Sequence, residues 1–235
     1  MEFFKVTGHG FEYWVWLDED YLPYIRPTEK DIKDAPKPLL LRDIPPEWPI
    51  GFETTDPDSF TNVIPLKNSF DELKIDSDLK KDLKRVEKKN ENTKIILNEP
   101  NALEKSKEWF LEQWKENAAD FKQRTDLWKK NAYTLSAYSG NTLLAVHIAI
   151  AEKDSVYYLG CWWDRNYKNL SVPTFLLKKD IENAIEKKLK FYDLGVGTEP
   201  YKKKWGVISK PAKYYAVLTK EIAKKLEIEK FVEIK

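Results

Sequence analysis

SVYYLGCWWDRNYKNLSVPTFLLKKDIENAIEKKLKFYDLG, residues 155–195, decides the fold. Ser155 to Trp163 is rich in aromatic and β-branched residues and reads as a strand. Asp164 to Leu170 is a polar loop, and Ser171 caps a helix running to about Leu189. Leu177, Ile181, Ala184 and Ile185 form its inner face, while Lys187 and Lys188 fall in its last turn, where the helix dipole favours positive charge. Lys190 to Leu194 is then a buried strand. A helix between two strands of one sheet implies a right-handed crossover joining parallel neighbours.

Upstream, Ala132 to Tyr138, Thr142 to Ala151 and Ser155 to Trp163 are three strand-like runs. The turns Ser139-Gly140-Asn141 and Lys153-Asp154 separate them, giving an antiparallel meander. The middle strand places bulky Leu144, Val146, Ile148 and Ile150 on one face and mostly small residues (Ala145, Ala149, Ala151) with His147 on the other. The small face lets a helix or a ligand approach closely.

Before the meander, Asp76 or Ser77 caps a helix to about Asn90 with an apolar stripe of Leu79, Leu83 and Val86. Thr93 to Leu97 is a short strand. Asn101 caps a further helix, with Glu104 in capping-box position and Leu103, Phe110 and Trp114 on its buried side, and Phe121 to Lys130 is another short helix. Phe3 to Leu17 reads as a hairpin about Gly8-His9-Gly10. Nine of the thirteen prolines lie between Pro23 and Pro65, so that stretch should be loop-rich with short strands, packed on the core by Leu39 to Leu41, Trp48 and Phe52. Lys213 to Leu218 and Lys230 to Ile234 are final strands. The fold class expected is therefore α+β: a mixed, mainly antiparallel sheet with helices on both faces and one parallel crossover pair.

The chain has 235 residues, with 40 Lys plus Arg against 39 Asp plus Glu. That balance provides no global field for nucleic acid or an anionic membrane. The single Cys161 leaves no internal disulfide, which fits a cytoplasmic protein. Met1 to Val6 is not read as a signal peptide, and Leu143 to Ala151, the longest apolar run, is far shorter than the ~20 residues of a membrane-spanning helix. His9, His147 and Cys161 have no metal-ligand spacing, so no metal site is expected. His147 reads as a hydrogen-bonded sheet histidine rather than a base.

Two segments carry chemistry. A helix N-terminus presents free N–H groups and suits phosphate. Arg165 and Lys168 add positive charge, Asn169 polar atoms and Ser171 a hydroxyl, a combination that fits the pyrophosphate of coenzyme A. The same residues also fit an ordinary capped helix behind a polar loop. After the next strand, Asp193 and Glu199 can hold or deprotonate an amine and Tyr201 can protonate a departing thiolate. A strand-end carboxylate that caps a loop, and a Lys202–Lys204 run that is simply solvated, are the structural alternatives.

Residues 63–206 resemble the Fem-like acetyltransferase family of the GNAT superfamily, the acetyltransferase family 6 type. The matching pieces are Val63-Ile64-Pro65-Leu66 with Phe70-Asp71-Glu72-Leu73, the basic helix Lys80-Lys81-Asp82-Leu83-Lys84-Arg85, the meander, and Asp164-Arg165-Asn166-Tyr167 with the capped helix. The most specific is Tyr192-Asp193-Leu194-Gly195 followed by Glu199-Pro200-Tyr201-Lys202 and Trp205-Gly206. The resemblance implies a GNAT core in which Ser155–Trp163 and Lys190–Leu194 splay apart around the pantetheine arm of an acyl-CoA, acetyl-CoA or a longer one. It implies an N-acyltransferase acting on a small-molecule or peptide amine, with Asp193, Glu199 and Tyr201 in catalysis and Arg165, Lys168, Asn169 and Ser171 on the donor phosphates.

Where the superfamily loop usually reads Arg/Gln-x-x-Gly-x-Gly/Ala, this chain has Lys168-Asn169-Leu170-Ser171-Val172-Pro173. Fem-like ligases also carry two tandem GNAT halves, so a reduced or replaced first half is expected here. Residues 1–66 are expected as a strand- and loop-rich extension packed on a domain of residues 67–235. Two alternatives stay open. One is a Fem-type transferase dependent on aminoacyl-tRNA, using Lys80–Lys89 and Lys202–Lys204. The other is a non-catalytic binding module of the same fold.

Overall fold

A computed structural model describes residues 3–8, 11–16, 35, 39–44, 52–53, 60–114, 118–211, 213–218 and 233–234. His9 and Gly10 of the expected hairpin turn, most of the proline-rich stretch with its Trp48, and residues 230–232 lie outside the described residues, as does the Trp114 side chain. The chain divides into two compact units, residues 1–62, 195–199 and 209–235 in the first and 63–194 and 200–208 in the second.

In the first unit, β1 (Phe3–Gly8) and β2 (Phe11–Trp16) form the expected antiparallel hairpin, Phe3 opposite Trp16. β3 (Leu39–Ile44) follows β2 in the sheet. It pairs antiparallel with β12 (Lys213–Leu218), which also carries β4 (Phe52–Glu53) antiparallel and β13 (Glu233–Ile234) parallel.

The second sheet has seven strands in the order β11-β5-β10-β9-β8-β7-β6. These are β5 (Phe60–Pro65), β6 (Lys94–Leu97), β7 (Tyr133–Ser139), β8 (Thr142–Glu152), β9 (Ser155–Trp163), β10 (Phe191–Val196) and β11 (Ile208–Pro211). The meander β7-β8-β9 is antiparallel throughout, and β9 and β10 form the parallel pair, as the crossover requires. The observed fold class is the mixed α+β arrangement expected.

Both faces of β8 are buried from Leu144 to Ile150. Its small face lies under the crossover helix, α5, whose label follows from four earlier helices: α1 (Ser77–Lys89), α2 (Ala102–Lys105), α3 (Lys107–Trp114) and α4 (Ala118–Asn131). Helix α5 spans Val172–Glu186, and its Leu177, Ile181 and Ala184 meet Ala149 of β8, Val156 of β9 and Tyr192 of β10 in one buried cluster. Small side chains at Ala145 and Ala149 make that close approach possible. On the bulky face, Phe110 of α3 sits edge-on to Phe121 of α4 and Trp162 of β9 at centroid distances of 5.1 and 5.2 Å, and Trp128 stacks on Trp162 at 5.4 Å. Trp162 and Trp163 therefore serve opposite faces, as strand alternation demands.

Helix boundaries follow local chemistry. Asp76 caps α1, its carboxylate accepting from the N–H groups of Asp78 (2.9 Å) and Leu79 (3.2 Å). Asn101 does not act as the expected cap: it takes a left-handed conformation (φ 60°) and makes no side-chain cap bond. The expected single helix from Asn101 is broken at Ser106, whose hydroxyl turns back to the Leu103 carbonyl (3.0 Å). Helix α5 stops at Glu186, short of Leu189, because Lys188 turns left-handed (φ 58°) and Leu189 N–H closes on the Ala184 carbonyl (3.0 Å). Lys187 and Lys188 thus follow the helix instead of forming its last turn. A short helix, α6 (Pro200–Lys203), precedes Trp205 and Gly206.

Candidate active site

The parallel ladder between β9 and β10 runs from Phe191 opposite Ser155 to Asp193 opposite Tyr157 and goes no further. Immediately beyond, β9 is irregular. Ala149 of β8 faces Tyr158 and Ile148 faces Gly160, so Leu159 is an extra residue, a β-bulge. The rest of β9 past Tyr157 has its β10-facing backbone edge outside that ladder. At its carboxyl end the chain turns into the crossover helix, so the part of β9 beyond the ladder, where the Cys161 carbonyl accepts from Gln113 Nε2 (3.4 Å), and the helix N-terminus belong to the same edge of the sheet.

The loop into α5 is a 3₁₀ segment, Arg165–Leu170, opened by Asp164, whose carboxylate accepts from Asn166 N–H (2.9 Å). Arg165 lies over the Trp163 ring at 4.6 Å, which directs its guanidinium. Lys168 is exposed. Asn169 meets α1 through its backbone: its carbonyl accepts from Lys89 Nζ at 2.7 Å. The next carbonyl, of Leu170, accepts from the buried Asn90 side chain at 2.8 Å. Ser171 stands at the cap position, as expected, but in the left-handed region (φ 53°, ψ 41°) and with no side-chain cap bond. Its hydroxyl is thus not spent on the helix. The first-turn N–H groups of Val172 and Thr174 have no intrahelical acceptor, and Pro173 contributes none. Arg165, Lys168, Asn169 and Ser171 are therefore brought together at one helix entrance.

Asp193 is a buried residue of β10 at the last ladder position. Tyr192 beside it faces α5, so strand alternation turns Asp193 to the opposite face, with Tyr157. Tyr201, at the start of α6, is exposed. Of the lysine run, Lys202 is buried, while Lys203 and Lys204 are exposed. Trp205 and Gly206 are structural. Trp205 is in the core against Phe70 (6.5 Å, edge-on), and a Cβ on Gly206 would stand 2.3 Å from the Lys74 carbonyl oxygen.

Glu199 lies in the first unit, where its carboxylate covers Gly197 (φ 114°): a Cβ there would sit 2.5 Å from Glu199 Oε2. Asn62 fastens the same stretch, its amide donating to the carbonyls of Gly195 (3.0 Å) and Gly197 (2.8 Å).

Sequence reasoning missed the buried cluster behind Asp193. Asp180 of α5 accepts from Tyr192 Oη (2.6 Å), Tyr133 Oη (2.8 Å) and His147 Nε2 (2.9 Å). His147 and Asp180 are both fully buried. An ionised carboxylate only accepts, which assigns the proton to Nε2, and Nδ1 has no hydrogen-bond partner among the described residues. Burial opposes ionisation of Asp180, yet the hydrogen bonds from His147, Tyr192 and Tyr133 hold its carboxyl below the usual value. The Tyr133 and Tyr192 phenols are pushed well up by burial and by the Asp180 charge. The legible signal was a carboxylate inside an apolar stripe, Asp180 among Leu177, Ile181 and Ala184. His147 is the hydrogen-bonded sheet histidine expected.

The sequence model of the acetyltransferase (GNAT) domain matches residues 77–203, more than half of the chain. No curated protein sequence matches. Among solved structures, FemX is similar with a TM-score of 0.58 at 10% identity, over 74% of this chain and 65% of that one. A conserved protein of unknown function from Bacteroides thetaiotaomicron VPI-5482 gives 0.57 at 10% identity, over 90% and 80%. L-PGS from Bacillus licheniformis gives 0.50 at 12% identity, over 75% and 66%. The chain thus spans just under two thirds of FemX, and at these identities the likeness is one of fold.

Proposed function

This chain belongs to the acetyltransferase (GNAT) domain family, with the fold of its Fem-like members, and we propose that it is an N-acyltransferase moving an acyl group from acetyl-CoA or another acyl-CoA to an amine. The acceptor is a small molecule or a peptide. The observation that carries this reading is the end of the β9–β10 ladder at Asp193 and Tyr157, with the Leu159 bulge beside it and the α5 entrance on the same sheet edge.

In this reading the extended pantetheine arm lies along β9 beyond the end of its ladder with β10. Its amides exchange hydrogen bonds with that stretch as a third strand would. The pyrophosphate meets the N–H groups of Val172 and Thr174, the Ser171 hydroxyl, and the cations of Arg165 and Lys168. The acceptor nitrogen attacks the thioester carbonyl. A C–N bond forms, the C–S bond breaks, and the sulfur leaves as thiolate. Asp193 or Glu199 takes the proton from the amine, and Tyr201 returns one to the thiolate. Residues 1–66 act as an extension to the acyltransferase domain of residues 67–235.

The aminoacyl-tRNA alternative would use the cations of α1. Two of them already face acids one turn away, Lys81 with Asp78 (3.4 Å) and Arg85 with Asp82 (2.9 Å), and Lys89 is held at the loop. Lys202, from the second basic run, is buried. This favours the acyl-CoA reading. Calorimetric titration with acetyl-CoA tests it: saturable one-site binding is expected, and no heat at millimolar donor overturns it. A screen for salt-sensitive tRNA binding is the opposing arm.

A further inference from the structure

We infer that Asn90 is a positioning residue for the donor loop, and that its clamp on α1 does here what a glycine does in the usual superfamily loop. The inference rests on the acyl-CoA reading of the α5 entrance.

The argument starts from Ser171. It occupies the first glycine position of the usual motif and adopts the backbone that a glycine would supply, φ 53° and ψ 41°. A non-glycine residue in that region is strained by roughly 1–2 kcal/mol, so the surrounding structure must impose it. The two residues before it show how. Asn90 is only 1% exposed, and its amide nitrogen donates at 2.8 Å both to Leu170 O and to Val86 O, the latter in the last turn of α1. Its amide oxygen accepts from Thr93 Oγ1 at 3.1 Å, which fixes the flip of the side chain. Lys89 adds a bond to Asn169 O at 2.7 Å. Two consecutive carbonyls are therefore drawn toward α1, and the turn at Ser171 must be left-handed for α5 to start.

A carbonyl held inward has a consequence for anion binding. Each peptide unit is planar, so fixing the direction of the Leu170 carbonyl fixes that of the Ser171 N–H opposite it, which closes the 3₁₀ turn on the Lys168 carbonyl (3.3 Å) and so sets where α5 begins. It also keeps two negative ends of peptide dipoles away from the entrance where the pyrophosphate would lie. Asn90 touches neither donor nor acceptor in this arrangement. It acts through the loop.

The test compares the wild type, Asn90→Ala, Ser171→Gly and the double variant for binding of acetyl-CoA and of S-acetylpantetheine, which lacks the pyrophosphate. Asn90→Ala is expected to weaken acetyl-CoA about tenfold, the loss of one good positioning interaction, and to leave S-acetylpantetheine unchanged. Ser171→Gly by itself loses the hydroxyl assigned to the pyrophosphate, so the double variant is compared with that single variant: Asn90→Ala is expected to cost little further affinity on the glycine background, because glycine takes the turn without a clamp. Thermal melts of the four proteins provide an arm that needs no donor. Ser171→Gly should raise the melting temperature of Asn90→Ala more than that of the wild type. If wild type binds acetyl-CoA and Asn90→Ala binds it equally, or weakens both ligands alike, the positioning role is overturned. If wild type binds no acetyl-CoA, the acyl-CoA reading itself falls and takes this inference with it.

Discussion

Tyr192 Oη donates to Asp180 Oδ2 across 2.6 Å, joining the second strand of the parallel pair to the helix that crosses over between them. The bond sits one residue before Asp193, at the level where the β9–β10 ladder stops. It braces the crossover: α5 is tied to β10, and through the same carboxylate to β7 and β8, by polar contacts, and to β9 by the apolar stripe.

Removing the carboxylate should therefore be costly. Asp180→Ala leaves the buried donors of His147, Tyr133 and Tyr192 without their acceptor, and we expect a loss of about 3 kcal/mol or more. Tyr192→Phe removes a single donor and should cost about 1–2 kcal/mol. Urea denaturation with an unchanged slope would check both values.

The same residue predicts an acid limb of stability. The folded-state carboxyl of Asp180 titrates below its unfolded value, so its contribution is fully present above the unfolded pKa of about 4 and is lost as pH falls through the folded one. Asp180→Asn should be less stable than wild type near neutrality and should show a shallower fall in stability below pH about 4. Equilibrium unfolding from neutral to acid pH measures it.

Gly206 and Gly140 offer a matched pair. Both have positive φ (69° and 57°), but a Cβ meets Lys74 O at 2.3 Å at Gly206 and nothing within 4 Å at Gly140. Gly140→Ala should cost only the backbone strain, about 1 kcal/mol, and Gly206→Ala at least twice that. Thermal melts of the two variants settle the comparison.

Caps provide a second contrast. Asp76 makes two cap bonds and Asn101 none. Asp76→Ala should cost about 1 kcal/mol, whereas Asn101→Gly should be neutral or stabilising, since it relieves a left-handed backbone. Chemical denaturation of each variant distinguishes them.

For the chemistry, Asp193→Asn should cut acyl transfer by about 10²–10⁴-fold, the usual share of a positioned proton acceptor, with far-UV circular dichroism unchanged and acetyl-CoA still bound. Transfer at the wild-type rate would remove Asp193 from the mechanism.

These expectations divide by how far apart in sequence their causes lie. The meander was legible because alternation of bulky and small residues along β8 is a local pattern, and the parallel pair because a helix between two strands of one sheet must cross over. Asp76 was legible as one of two cap candidates, with Ser77, because a cap's partners are two and three residues away. Asn101 was not, although it has the same chemistry, because a left-handed φ leaves no sequence trace in an asparagine that also fits a cap.

The sequence by itself determined the antiparallel meander, the crossover and the family pattern Asp193-Leu194-Gly195 with Glu199-Pro200-Tyr201. All of these depend on periodicity or on residues close together in the chain. Only the tertiary structure decided that Asp180 gathers Tyr133, His147 and Tyr192 from three strands 47, 33 and 12 residues away. It alone decided that Trp205 and Gly206 serve the core, and that Asn90 reaches Leu170 across 80 residues to hold Ser171 in a turn built for glycine. The physical reason is the same in each case. A buried polar group must find a partner, and which partner is within reach depends on how the helices and strands are packed.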